Sequence, residues 1–129
     1  MRALIVDDSR ANRLVIGKCL VDFDFRVVDA FDGTDGLFRI KNEPQFDVLL
    51  VDWGMPGLNG LDFIHQVRLD PNYKLTPIIM ISGLSSQERM DEAIGAGANE
   101  YIIKPFTPEA LAAKFDCLGI AYKRRNGLT

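Results

Sequence analysis

The sequence predicts an α/β chain, a doubly wound five-stranded parallel sheet with five helices. Three observations carry that expectation. Short apolar runs recur, each closed by a polar residue: Leu4-Ile5-Val6 by Asp7-Asp8, Val48-Leu49-Leu50-Val51 by Asp52, Ile78-Ile79-Met80-Ile81 by Ser82, and Tyr101-Ile102-Ile103 by Lys104. Runs without polar alternation read as strands covered on both faces. Segments with helical spacing lie between them, the pattern of repeated strand–helix units joined by right-handed crossovers. Finally, a length of 129 residues fits one domain.

The elements follow in order. Strand one spans about residues 2–7. The first helix follows Ser9, with Ala11, Leu14, Val15 and Cys19 at helical spacing. A short strand holds 25–29, and Asp32-Gly33 turns the chain into a helix over about 34–41. Strand three, 47–52, runs into the loop Gly54-Met55-Pro56-Gly57 and then a helix carrying Leu61, Ile64 and Val67, which Asp70-Pro71-Asn72 ends. Strand four covers 78–81. Ser85 and Glu88 fit a capping box for the next helix, which carries Met90 and Ile94 and is closed by Gly95 and Gly97. After strand five, 101–103, Thr107 reads as an N-cap with Pro108 at the first helical position, and Leu111, Phe115, Leu118 and Tyr122 form the stripe of the last helix.

Composition narrows the function. The chain is 47% hydrophobic, enough for an ordinary core, and its net charge of −3 offers no basic footprint for nucleic acid. Lys123-Arg124-Arg125 reads as a solvated helix end or tail. No apolar stretch is long enough to span a membrane, and the first apolar run stops at Asp7-Asp8, too early for a signal peptide. Cys19 and Cys117 form no CxxC or Cys/His cluster and read as reduced core or near-core thiols of a cytoplasmic protein. A protein without membrane or nucleic-acid partners is the expectation.

The polar strand ends carry the chemistry. Open parallel sheets bind ligands just outside the carboxyl ends of their strands. Of the common doubly wound orders, 2-1-3-4-5 sets strands one and three side by side and brings Asp7, Asp8 and Asp52 together; periodicity alone does not choose it. Carboxylates about 4 Å apart repel by about 1 kcal/mol in water and about 4 kcal/mol at an effective dielectric of 20. A hard divalent cation such as Mg²⁺ relieves this, since it takes one or two carboxylates together with waters and phosphate oxygens. Lys104 supplies a positive charge to a phosphoryl oxygen and Ser82 a hydrogen bond. Taken singly these residues read as helix caps, loop acids, a turn serine and a solvated lysine; their joint placement at four strand ends points to a phosphoryl site.

The set Asp7-Asp8, Asp52-Trp53-Gly54-Met55-Pro56, Ser82-Gly83 and Lys104-Pro105-Phe106 resembles the receiver domain of two-component response regulators, whose fold is flavodoxin-like. Asp52-Trp53 and the segment Asn99 through Thr107 are most similar to its CheY-like chemotaxis branch. The resemblance covers about residues 2–121; a receiver domain is expected over 1–121, with 122–129 a short tail.

That resemblance implies a set of roles. Asp52 is the phosphoacceptor, taking its phosphoryl group from a histidine kinase. Asp8 and Asp52 bind Mg²⁺ directly, with the backbone carbonyl of Gly54, and Asp7 acts through water. Lys104 pairs with Asp52 at rest and with phosphate afterwards, and the peptide before Pro105 is cis. Ser82 moves to the phosphate and Tyr101 swings inward, remodelling the face of helix four, strand five and helix five. Gly54 and Leu84 depart from the polar residues often found there and line the path of the hydrolysing water, so they tune dephosphorylation. Gly83 leaves access for a small phosphodonor or a phosphatase. Trp53 is expected to be partly exposed, Phe106 to pack, and His65 to be a solvated helix residue.

The implied function is a stand-alone phosphorylation switch acting on a protein partner, a flagellar motor switch protein or the next member of a phosphorelay. It is a phosphoacceptor catalysing only its own modification and its loss. Two other classes compete. A haloacid-dehalogenase-type phosphatase needs its nucleophile in a DxD pattern after strand one, where this chain has Asp7-Asp8-Ser9 and no cap domain. An unphosphorylated interaction module is disfavoured because every residue of the receiver site is present. A DNA-binding output domain is not expected, since few residues follow helix five.

Overall fold

The computed structural model describes residues 1–123. Arg124 and Arg125 of the basic run, and most of the expected 122–129 tail, lie outside the described residues. The chain forms β1 (Arg2–Val6), α1 (Arg10–Asp22), β2 (Arg26–Ala30), α2 (Gly33–Asn42), β3 (Val48–Asp52), α3 (Gly60–Arg68), a 3₁₀ turn (Pro71–Tyr73), β4 (Ile78–Ser82), α4 (Gln87–Ala96), β5 (Glu100–Ile103) and α5 (Pro108–Leu118). The sheet is parallel throughout, in the order β2-β1-β3-β4-β5. No helix among the described residues is long and apolar enough to cross a membrane.

Strand side chains alternate between two cores. Leu4, Val6, Leu49, Val51 and Met80 face α2, α3 and α4; Ala3, Ile5, Leu50, Ile79 and Ile81 face α1 and α5. Every β3 and β4 residue is buried, which is why these strands read as unbroken apolar runs. Val6 pairs with Val51, and Asp52 with Ile81. The register therefore sets Asp7 level with Asp52 and places both beside the end of β4.

Helix phase differs from the sequence reading on α1 and α4, and helix ends differ on α4 and α5. On α1, Leu14 and Val15 are exposed, and Ile16 and Leu20 carry the buried face on to Phe23. Two overlapping stripes run through this apolar stretch, and spacing alone does not choose between them. On α4, Ile94 is exposed while Ala93 and Ala96 are buried, because the helix packs through small side chains. Ser86, not Ser85, caps α4 and accepts from the Arg89 N–H at 3.2 Å; this moves Glu88 out of capping-box position and leaves Gly95 inside the helix. On α5, Thr107 caps and Pro108 opens the helix, which stops at Leu118 with Gly119 left-handed at φ 70°. Tyr122 lies beyond the helix yet rejoins its face, with its ring 5.1 Å from Phe23 and 5.8 Å from Phe115. Cys19 is half-buried but Cys117 is exposed, not near the core.

Candidate functional site

The strand ends meet as the topology requires. Asp7 is 1% exposed, Asp52 3% and Ser82 4%, while Asp8 faces solvent. Asp8, Asp52, Ser82, Gly83 and Lys104 border an open depression of about 510 Å³; Asp7 does not line it. The Lys104 ammonium donates to Asp52 Oδ1 at 2.7 Å. The Lys104–Pro105 peptide is cis, and Phe106 packs against the α1/α5 core.

Local structure fixes each acid. Asp7 Oδ1 accepts the Ser9 N–H at 2.8 Å, and Ser9 in turn caps α1 through the Asn12 N–H at 3.2 Å. Arg13, one turn into α1, donates to the Asp7 carbonyl at 2.8 Å and to Asp29 Oδ2 at 3.0 Å. Gly60 opens α3 directly against β3. A Cβ there would lie 2.5 Å from the Asp52 carbonyl oxygen, so only glycine lets the helix approach the backbone of this acid.

One oxygen of each of Asp7, Asp8 and Asp52 lies within 4.8 Å of the others. Burial raises the Asp7 carboxyl above its ordinary value against the lowering hydrogen bond from Ser9, and the charges of Asp52 and Asp8 add to the rise while that of Lys104 opposes it. Burial alone would lower the Lys104 ammonium, but its hydrogen bond to Asp52 and the surrounding acids carry it above the usual lysine range. Asp7 Oδ2 is buried with no hydrogen-bond partner. An orphaned carboxylate oxygen inside a triad of acids fits a hard, oxygen-ligated divalent cation.

Behind the depression, Tyr101 is already buried and its hydroxyl donates to the Leu84 carbonyl. The Leu84 N–H donates to Ser82 Oγ at 3.1 Å. Trp53 is 8% exposed, not partly open as its place beside the site implied. The Tyr101 ring forms a T-shaped pair with it, centroids 6.3 Å apart, and the Arg89 guanidinium lies 4.3 Å from its ring centre. Gly54 and Leu84 are exposed at the rim, and a Cβ at Gly54 or Gly83 would meet nothing within 4 Å. His65 is exposed on α3, away from the residues bordering the depression.

Residues 3–116 match the family of response regulator receiver domains. The chain belongs to that family. Chemotaxis protein CheY of Pseudomonas aeruginosa is 37% identical over 98% of this receiver and 100% of its own length. Chemotaxis protein CheY1 of Helicobacter pylori is 38% identical over 90% and 94% of the two chains. The structure of Vibrio cholerae chemotaxis protein CheY4 superposes with a TM-score of 0.85 at 34% identity, covering 91% of this receiver and 97% of that chain. Receiver domains are signalling phosphoacceptors rather than conventional enzymes, and they bind Mg²⁺ at an acidic cluster of the kind formed here by Asp7, Asp8 and Asp52.

Sequence reasoning missed three residues at the receiver site. Gly60 was legible in principle, since Asn59-Gly60 opens a helix just after a strand-end acid. Arg13 and Arg89 were not, because only the tertiary fold shows what a lone arginine on a helix touches.

Proposed function

We propose that this receiver accepts a phosphoryl group on Asp52 from a histidine kinase and, so modified, changes its affinity for a protein partner. The observation that supports this best is the buried Asp52 carboxylate at the floor of the depression, with Lys104 on one oxygen and two further acids alongside. The free oxygen of Asp52 forms a bond to phosphorus, the P–N bond of the donor phosphohistidine breaks, and the imidazole nitrogen leaves with the electron pair. Asp7, Asp8, Asp52 and the Gly54 carbonyl would hold Mg²⁺, which would neutralise charge on the transferring oxygens. Lys104 passes from Asp52 to the phosphoryl group. In the hydrolysis that ends the state, water attacks phosphorus, the bond to Asp52 breaks with its electron pair returning to the carboxylate, and inorganic phosphate departs past Gly54 and Leu84.

The output follows from charge. Phosphorylation replaces a carboxylate by a group of about −2, and Ser82 and Lys104 answer it. Ser82 Oγ now accepts from Leu84 N–H, and the Leu84 carbonyl holds Tyr101. Drawing Ser82 toward the phosphoryl group therefore biases the β4–α4 loop, Tyr101 and the face of α4, β5 and α5. The chemotaxis relatives favour a partner of the motility type, such as a flagellar motor switch protein.

The test is intact-mass spectrometry with Mg²⁺ and acetyl phosphate, alongside tryptophan fluorescence from Trp53. A mass gain of one phosphoryl group that needs Mg²⁺ and is absent in Asp52→Asn is expected. No gain in the parent chain would leave an interaction module with a dormant site.

A further inference from the structure

Arg89 lies outside every role assigned above. It sits in the first turn of α4 and lines the same depression as Asp52, Ser82 and Lys104. Its guanidinium is stacked 4.3 Å from the centre of the Trp53 ring. Glu88 and Glu92 border a second hollow beside it, yet no ion pair or side-chain hydrogen bond joins Arg89 to either of them. Among the described residues the indole ring is the partner of this guanidinium. The neighbouring cations are committed: Lys104 to Asp52, and Arg13 to Asp29 and the Asp7 carbonyl.

A cation held by a ring alone at a part-exposed position is held weakly, whereas guanidinium hydrogen bonds to phosphoryl oxygens are charge-assisted and paired. The move between them stays within one depression, because Asp52, Trp53 and Arg89 all line it. Nothing at Gly83 or Gly54 narrows the passage, since neither carries a side chain. Resting on the reading of Asp52 as phosphoacceptor, we propose that Arg89 is a second phosphoryl ligand, parked on Trp53 while Asp52 is bare and transferred to a phosphoryl oxygen when Asp52 is modified. The transfer uncovers one face of Trp53, whose ring also packs in a T-shaped pair with Tyr101. It thereby links the first turn of α4 to the modified acid through a contact separate from Ser82.

Beryllofluoride with Mg²⁺ serves as the phosphoryl probe on the full chain. In Mg²⁺ alone, the Arg89 Nε–Hε resonance should carry an upfield ring-current displacement that Trp53→Leu removes; with beryllofluoride that displacement should vanish. Beryllofluoride affinity, read from the ¹⁹F signal of the bound probe, should fall roughly tenfold in Arg89→Ala and recover in part in Arg89→Lys, while Mg²⁺ affinity holds or tightens slightly. Equal beryllofluoride affinity in Arg89→Ala and the parent, or an Arg89 resonance that stays ring-shifted in the complex, overturns the proposal while leaving Asp52 as phosphoacceptor. Failure of the parent chain to take up beryllofluoride overturns both.

Discussion

Arg68 and Asp7 are charged groups that burial has moved off their ordinary pKa at opposite ends of one sheet, and they are treated in opposite ways. At the amino ends, burial lowers the Arg68 guanidinium, yet its donors are spent. They reach the carbonyls of Gly97 at 2.8 Å, Tyr73 at 2.6 Å and Thr76 at 2.8 Å, and Asn99 Oδ1 at 2.8 Å. Asn99 Oδ1 also accepts from Ile78 N–H at 2.9 Å, so one arginine ties the entries of β4 and β5 to the end of α3. At the carboxyl ends, Asp7 keeps an unpartnered oxygen beside two further acids. A satisfied polar network rigidifies a fold, and an unsatisfied one is a binding site held ready. The difference separates the residues that maintain the receiver from those that use it.

The largest effect should come from emptying the satisfied end. Arg68→Ala orphans the carbonyls of Gly97, Tyr73 and Thr76 together. Stability should fall by about 3 kcal/mol, the range for losing charged hydrogen bonds and stranding their acceptors, read as a lowered urea midpoint. Mg²⁺ affinity should stay at the parent value. A loss of Mg²⁺ affinity as large as that from an acid substitution would show that the two ends are coupled and that the division is false.

Removing charge at the other end should do the reverse. Because the folded state raises the Asp7 carboxyl, it holds that proton more tightly than the unfolded chain does. Asp7 therefore contributes stability that is full below the unfolded value of 3.8 and is lost as pH rises through the higher folded value. Above that window, Asp7→Asn should stabilise the metal-free receiver by about 1 kcal/mol, the lower end of the cost of a buried polar atom left without a partner. The same variant should lose most of the stabilisation that added Mg²⁺ gives the parent. Urea unfolding across pH 4 to 8 in EDTA and then in Mg²⁺ checks both signs; a destabilised metal-free variant would mean that Asp7 is structural rather than poised.

The same contrast explains what the sequence reveals and what it hides. Strand order and the meeting of Asp7, Asp8, Asp52, Ser82 and Lys104 were legible because buried parallel strands are unbroken apolar runs and the site residues immediately follow them. The phase of α1 was not, since Leu14, Val15, Ile16 and Leu20 satisfy helical spacing in more than one rotation. The buried face of α4 was obscured by alanines, which carry little apolar signal. The Arg68 cluster draws on α3, the Pro71–Tyr73 turn and the entries of β4 and β5, and no local pattern announces carbonyls gathered from three segments onto one arginine of a fourth. The burial of Trp53 depended on Arg89, a residue 36 positions away in the chain.

The finest distinction concerns a position that neither end of the sheet needs for stability. Gly54 is exposed at the rim, and a side chain there would meet nothing within 4 Å. Gly54→Asn should therefore change stability by no more than about 0.5 kcal/mol. Its amide would nonetheless stand beside the departing phosphoryl group, where it can hold a water in line for attack on phosphorus. The phosphoryl lifetime, followed by loss of the Mg²⁺-dependent mass gain after the donor is removed, should shorten severalfold, while Mg²⁺ affinity should stay at the parent value. An unchanged lifetime would deny the rim any part in timing and leave it to the groups already in contact with Asp52. A shortened lifetime with unaltered folding would show the carboxyl end doing what the amino end cannot: changing function without touching the fold.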